Sequence, residues 1–231
     1  MSTRSSFRPA RGSAGEFSAV LLDLDGTVTD SAPVILASFC AAFDDLGIAV
    51  PDRARLMSFV GPPLAETFAR YAGLTGRANA RAVAAYRSHY RELMYRAPVY
   101  KGVPALVRSL HESGVPLALA TSKRESLARL IIEHTGLGPC FDAVTGAADD
   151  DRGGEKAVVI ARALVLLSAA GADTSRVVHV GDRSYDVEGA RQAGVECIGA
   201  LWGYGDADEL AGAQWLAADV PELAALLGAE V

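Results

Sequence analysis

Ser18 to Thr29 reads S-A-V-L-L-D-L-D-G-T-V-T, and this stretch limits what the chain can fold into more than any other. A short apolar run, Ala19 to Leu22, leads to two carboxylates, Asp23 and Asp25, and breaks at Gly26. An apolar run closed by a glycine turn reads as a buried strand of a parallel sheet. Open α/β sheets bind their ligands beyond the carboxyl ends of the strands, so both acids are expected at the mouth of the sheet. Residues two apart on a strand share a face. Two carboxylates there repel unless a cation lies between them. Mg²⁺ suits such a place, because it takes oxygen ligands and keeps room for waters and substrate phosphates. Taken alone, the same residues also make an ordinary Asp-Gly turn.

After this strand the pattern becomes helical. Helices are expected over about 31–47, where Pro33 fits a first turn and Gly47 a stop, over 52–59, over 64–71 behind the rigid turn Val60-Gly61-Pro62-Pro63, and over 77–94. No convincing strand falls between Ser31 and Ala97. From Pro98 onward, strands near 115–120, 141–145, 176–180 and 196–200 alternate with helices near 104–113, 123–135, 155–170 and 184–193. An edge strand near 214–218 and a last helix near 221–227 complete the chain. Such alternation means βαβ units and a parallel sheet with helices on both faces. The expected organisation is a flexible tail over 1–17, an α/β core from 18–30 and 98–231, and a helical cap over 31–97, inserted after the first strand.

Four sites of chemistry fall just after four expected strands. Asp23 and Asp25 are the first. Thr121, with Ser122 beside it, is the second; a hydroxyl next to free backbone N–H groups can hold a phosphate oxygen, although taken alone Ser122 ahead of Lys123 reads more readily as a helix N-cap. Lys156 is the third. Its charge can neutralise a phosphoryl group, and a lysine in the first turn of a helix stands against the helix dipole; a solvated surface lysine is the plainer reading. The fourth is Val180-Gly181-Asp182-Arg183-Ser184-Tyr185-Asp186, which suits a metal-binding loop or a helix start capped by Asp182 or Ser184. His179, inside the preceding strand, reads as a packed residue.

In order and residue type these motifs resemble the haloacid dehalogenase superfamily, whose first motif is D-x-D-G-T after an apolar strand. The resemblance runs from Val20 to about Gly205. It implies a Rossmann-like α/β core with a helical cap of the first class and the activity of a phosphatase. It further implies Asp23 as nucleophile and Asp25 as general acid/base. Gly26, Thr27, Thr121, Ser122 and Lys156 would bind the phosphoryl group. Mg²⁺ would be held by the carboxylates of Asp23 and Asp182 and by the backbone carbonyl of Asp25, with Asp186 behind them. Dehalogenases of this superfamily lack an acid two residues after the nucleophile, and phosphonate hydrolases carry Ala there, so Asp25 indicates a phosphatase or phosphomutase. G-P-P-L near Val60, G-D-R-x-x-D and W-G-Y-G at Trp202 are most similar to the phosphoglycolate phosphatase and 5′-nucleotidase branch. The third motif often reads Lys-Pro in relatives; here it is Glu155-Lys156-Ala157. Expected substrates are small phosphomonoesters: a nucleotide, a ribosyl or C-glycoside phosphate, a sugar phosphate or phosphoglycolate. Specificity contacts are expected at Val60–Leu64, near Arg55 and around Tyr86 to Tyr95, where helix packing is the competing role of the tyrosines. A phosphomutase using the same residues, and a binding protein without catalysis, are the alternatives.

Composition narrows the partners. The formal net charge of −6 argues against nucleic acid or anionic membrane as main partner. Cys40, Cys140 and Cys197 are dispersed and odd in number, which supports neither a zinc site nor a disulfide framework and fits a reducing cytoplasm. Met1 to Glu16 has no apolar segment of a secretory signal, and no uninterrupted apolar stretch is long enough to span a bilayer. The chain lacks a G-x-S-x-G elbow, so a serine hydrolase is not supported.

Overall fold

A computed structural model describes residues 17–230; the expected tail lies outside them except for Phe17. Six parallel strands form one sheet in the order β3-β2-β1-β4-β5-β6. They are β1 (Ala19–Leu22), β2 (Leu117–Arg124), β3 (Ala143–Ala147), β4 (Val177–Gly181), β5 (Glu196–Ala200) and β6 (Trp215–Ala217). Strand β1 is central, with β2 and β4 as neighbours. Its alternation divides the core. Val20 and Leu22 join the larger apolar cluster, and Ala19 and Leu21 join the smaller one on the opposite face, as the two-residue period of a strand requires. At its start, Phe17 packs edge-on against Trp215, with ring centroids 5.6 Å apart.

Between β1 and β2 lie α1 (Ala32–Asp45), α2 (Arg53–Met57), α3 (Leu64–Ala72), α4 (Gly76–Leu93) and α5 (Val103–Glu112). The remaining helices are α6 (Glu125–His134), α7 (Lys156–Ala169), α8 (Ser184–Ala193) and α9 (Val220–Leu227). Asp52 begins α2 by accepting a hydrogen bond from Arg55 N–H at 2.8 Å, the usual role of an N-cap carboxylate. The first four helices form a block with its own aromatic centre. Fully buried Phe39 has its ring 4.5 Å from that of Tyr86, 5.2 Å from Phe59 and 5.5 Å from Phe68. Phe39→Ala is expected to destabilise the protein by about 3–5 kcal/mol, because the cluster cannot collapse around the cavity. Urea unfolding checks this, and a loss below about 1 kcal/mol would mean that the helices are held together elsewhere.

The chain leaves the core at Asp30 and returns at Pro98. Asp30 N–H donates to Pro98 O at 2.9 Å and Tyr100 N–H to Val28 O at 3.0 Å, so the two crossings run side by side as a short ladder. Strand β2 continues four residues past the expected end at Ala120. Its register shifts after Ala120, and it resumes by pairing Arg124 with Ala147. Ser122 and Lys123 therefore lie in the strand, and α6 begins only at Glu125, which overturns the reading of Ser122 as a helix N-cap. Likewise neither Asp182 nor Ser184 caps α8. Arg183 occupies that position, and Asp186 Oδ2 reaches back to accept its N–H at 3.0 Å. The three cysteines are free thiols. No described helix is long and apolar enough to cross a membrane.

Candidate active site

Strand order reverses between β1 and β4, and ligands of open α/β sheets bind at such a switch point. Asp23 stands one residue past β1 and Asp182 one residue past β4. Asp23 N–H donates to Val180 O at 2.9 Å, which ties the two strand ends together. Oxygens of Asp23, Asp182 and Asp186 lie within 4.8 Å of one another, and all three residues are buried.

Lys156 begins α7 and is buried against the dipole of its own helix. Its Nζ lies 2.7 Å from Asp23 Oδ1 and 2.8 Å from Asp186 Oδ1, and donates to Ala120 O at 3.2 Å. Burial would lower the pKa of this amine, but Asp186 and Asp23 outweigh it and hold it above the usual lysine range. Burial raises the Asp23 carboxyl above its ordinary value. It also pushes Asp182 up to about 8, with Asp23 and Asp186 adding to the shift. Asp186 behaves oppositely. Burial alone would raise it, yet the Lys156 ammonium and the His179 contact hold it well below the carboxylate range. Fully buried His179 sits behind Asp186, with Nε2 2.9 Å from Oδ1.

These residues fit a divalent cation. The three buried carboxylates have one ammonium among them, paired with Asp23 and Asp186, so their ionised state leaves two negative charges uncompensated. Asp182 is also held as a ligand would be. Its Oδ1 accepts from Thr27 Oγ1 at 3.3 Å and its Oδ2 from Tyr204 N–H at 2.8 Å. Gly26, at φ 86°, lies so close that a Cβ there would overlap the Asp182 carboxylate. Its two requirements, a left-handed backbone and no side chain, are met only by glycine.

The other expected residues are placed as follows. Thr121 is buried within β2, just past Ala120 where the register shifts, and its Oγ1 accepts from Lys123 N–H at 3.3 Å. Ser122 is exposed. Thr27 turns its hydroxyl to Asp182. Asp25 meets Lys123, whose Nζ is 2.7 Å from Asp25 Oδ2 and 4.6 Å from the centre of the Tyr90 ring, while Asp25 Oδ1 is buried and unpartnered. Lys123 is not among the residues the sequence places at the site, because the local pattern there favours the start of a helix. Local pattern carries no signal for it: only the pairing of Arg124 with Ala147 extends β2 through Lys123.

The helical block meets this site on two sides. Val60 O accepts from Arg183 Nη1 at 3.0 Å, so the loop before α3 rests on the loop that carries Asp182. Tyr86 and Tyr90 are buried, with stacked rings 5.8 Å apart, and of the two Tyr90 faces Lys123. Arg55 instead lies over the ring of Tyr71, at 5.8 Å.

Residues 20–200 match the family described as haloacid dehalogenase-like hydrolase, and the chain belongs to it. It is 41% identical over 190 residues to a protein named tyrosine-protein kinase PtkA from Mycobacterium tuberculosis, a match covering 82% of this chain and 64% of that one. The chain thus spans less than two thirds of that relative's length. A 5′-nucleotidase from Pseudomonas aeruginosa is 37% identical over 201 residues, covering 87% and 90% of the two chains. Among solved structures, a predicted phosphatase from Clostridium acetobutylicum superposes with a TM-score of 0.80 at 36% identity, covering 90% of this chain and 96% of that one.

Proposed function

We propose that the chain is a Mg²⁺-dependent hydrolase of small phosphomonoesters that works through an aspartyl-phosphate. The observation that carries this reading is the meeting of Asp23, Asp182 and Lys156 at the switch point of the sheet. The similarity to a 5′-nucleotidase supports it. In the first step an Asp23 oxygen attacks phosphorus, the bond from phosphorus to the leaving oxygen breaks, and Asp25 gives that oxygen a proton. In the second step water attacks the same phosphorus and Asp25 takes its proton, which releases inorganic phosphate and restores Asp23. Thr121 holds a phosphoryl oxygen, and Lys156 offsets charge on the phosphoryl group while keeping Asp23 aimed. Lys123, whose ammonium faces the Tyr90 ring, keeps Asp25 in place.

The carboxylates of Asp23 and Asp182 and the backbone carbonyl of Asp25 would hold the metal, with Asp186 fixing Lys156 behind them. Bound Mg²⁺ supplies positive charge to the phosphoryl oxygens and to the clustered acids. Residues 31–97 act as a cap that excludes bulk water and reads the leaving group.

A phosphotransferase is the second reading, favoured by the 41% identity to a protein named as a tyrosine kinase. It uses the same residues but passes the phosphoryl group to a hydroxyl other than that of water. The test is phosphate release from phosphoglycolate, nucleoside 5′-phosphates, sugar phosphates and an aryl phosphate, with and without Mg²⁺. Mg²⁺-dependent release supports the hydrolase. No release from any of them, with label transferred to protein or to a second alcohol, would sink it in favour of transfer.

Metal binding has a predictable pH dependence. A native Asp182 that keeps its proton up to about pH 8, while the unfolded chain loses it in the ordinary carboxylate range, binds more protons folded than unfolded. The stability of the metal-free protein therefore falls as pH rises from that range toward about 8. Mg²⁺ displaces the proton, so it binds more tightly at pH 8 than at pH 5. At a concentration of about 100 Kd it is expected to stabilise the protein by about 2.7 kcal/mol. Thermal unfolding over this pH range checks the result; a Mg²⁺ effect equal at both ends would contradict it.

A further inference from the structure

The loop Trp202-Gly203-Tyr204-Gly205 has no part in the proposed chemistry, yet it touches both the acidic cluster and the exit to the helical block. Trp202 Nε1 donates to Thr27 O at 3.1 Å. Tyr204 N–H donates to Asp182 Oδ2 at 2.8 Å, and Gly205 N–H to Asp182 O at 3.0 Å. A Cβ at Gly203 or Gly205 would overlap Asp182, so the loop is pressed directly onto that residue. The other end of Tyr204 reaches the segment where the chain leaves the core. Its hydroxyl donates to Asp30 Oδ1 at 3.1 Å, accepts from Ala32 N–H at 2.8 Å, and lies 3.5 Å from Ser31 Oγ.

Ala32 is the first residue of α1, and its N–H has no acceptor within its own helix. Ser31 stands at the N-cap position but makes no side-chain capping bond. A phenol from 172 residues away takes that place. Burial holds the Tyr204 hydroxyl above the usual tyrosine pKa, so it keeps the proton that it donates to Asp30.

We propose that Tyr204 is a positioning residue that couples the acidic cluster to the angle at which the helical block leaves the core. Its backbone amide orients Asp182 and its phenol fixes the start of α1, so a change at the cluster is passed to the hinge through one residue. This rests on the reading of residues 31–97 as a cap that moves against the core.

The test is hydrogen exchange of the full chain with and without Mg²⁺, in the wild type and in Tyr204→Phe, which keeps the ring and the backbone N–H. In the wild type, Mg²⁺ is expected to slow exchange both in the loop at 201–205 and in the hinge at 30–36. In Tyr204→Phe the hinge exchanges roughly fivefold faster without metal, as expected for one lost hydrogen bond. Mg²⁺ then protects the loop alone. With a phosphomonoester as substrate, the variant raises KM by a larger factor than it lowers kcat. Mg²⁺ protection of the hinge that persists in Tyr204→Phe, or is absent in the wild type, overturns the proposal. Exchange needs no turnover, so intact coupling in a protein that releases no phosphate would sink the hydrolase reading and leave this one standing.

Discussion

Asp23→Asn is expected to lower phosphate release by on the order of 10⁴-fold or more while leaving the protein folded. On the proposed mechanism the amide keeps the shape of the side chain but cannot form the acyl phosphate, so the covalent route is removed. The metal-free variant should be at least as stable as the wild type. Burial already raises the Asp23 carboxyl, and Asp23 is in turn the largest charged contributor to the upward shift of Asp182. Neutralising it relieves that repulsion, and Lys156 keeps Asp186 as a partner. Phosphate release together with urea unfolding in a chelator checks both parts. Activity within tenfold of the wild type would remove Asp23 from the reaction.

Lys156→Met is expected to be the most destabilising single substitution at the site, by about 3–5 kcal/mol at neutral pH, because it strands two buried carboxylates without their cation. Its side chain is 5% exposed and those of Asp23 and Asp186 are 10% and 2% exposed, so water screens little of the loss. The sign with pH follows from Asp186. Its folded pKa is depressed, so its contribution is present above the ordinary carboxylate range and is lost as pH falls below it. The gap between variant and wild type should therefore narrow in acid, where the stranded carboxylates take up protons. Phosphate release should fall by roughly 10²–10³-fold as well, the usual cost of removing one charged donor to a transition state. Urea unfolding at neutral and acid pH tests the stability effect; a gap of constant size would mean that packing of the lysine stem, not charge, accounts for it.

Much of this site was legible in the chain. Asp23, Asp182 and Asp186 follow apolar runs broken by glycine or turn signals, and such runs form buried strands because their periodicity is local. Lys156 was legible through the family resemblance; its own position, a cation where a helix dipole disfavours one, gives only a mild hint, and a solvated surface lysine is the plainer reading of it. Lys123 was not legible. Local pattern favoured a helix there, but pairing of Arg124 with Ala147 carries β2 past the bulge and turns Lys123 toward Asp25.

What the sequence determined by itself is the alternation of strands and helices, the insertion of a helical block after the first strand, and the acids and lysine in the turns and first helical turns that follow the strands. Each depends on residues within a few positions of one another. What only the tertiary structure decided is how those groups are satisfied. Asp186 takes Lys156, His179 and its own helix N-terminus, whereas Asp182 takes Thr27 and Tyr204 and keeps a raised pKa. Tyr204, unmarked by any local pattern as a cap, completes the first turn of a helix that lies 172 residues earlier. Burial makes unpaired charges and N–H groups costly, so their partners are chosen by what the fold brings within about 3 Å, which spacing along the chain does not encode.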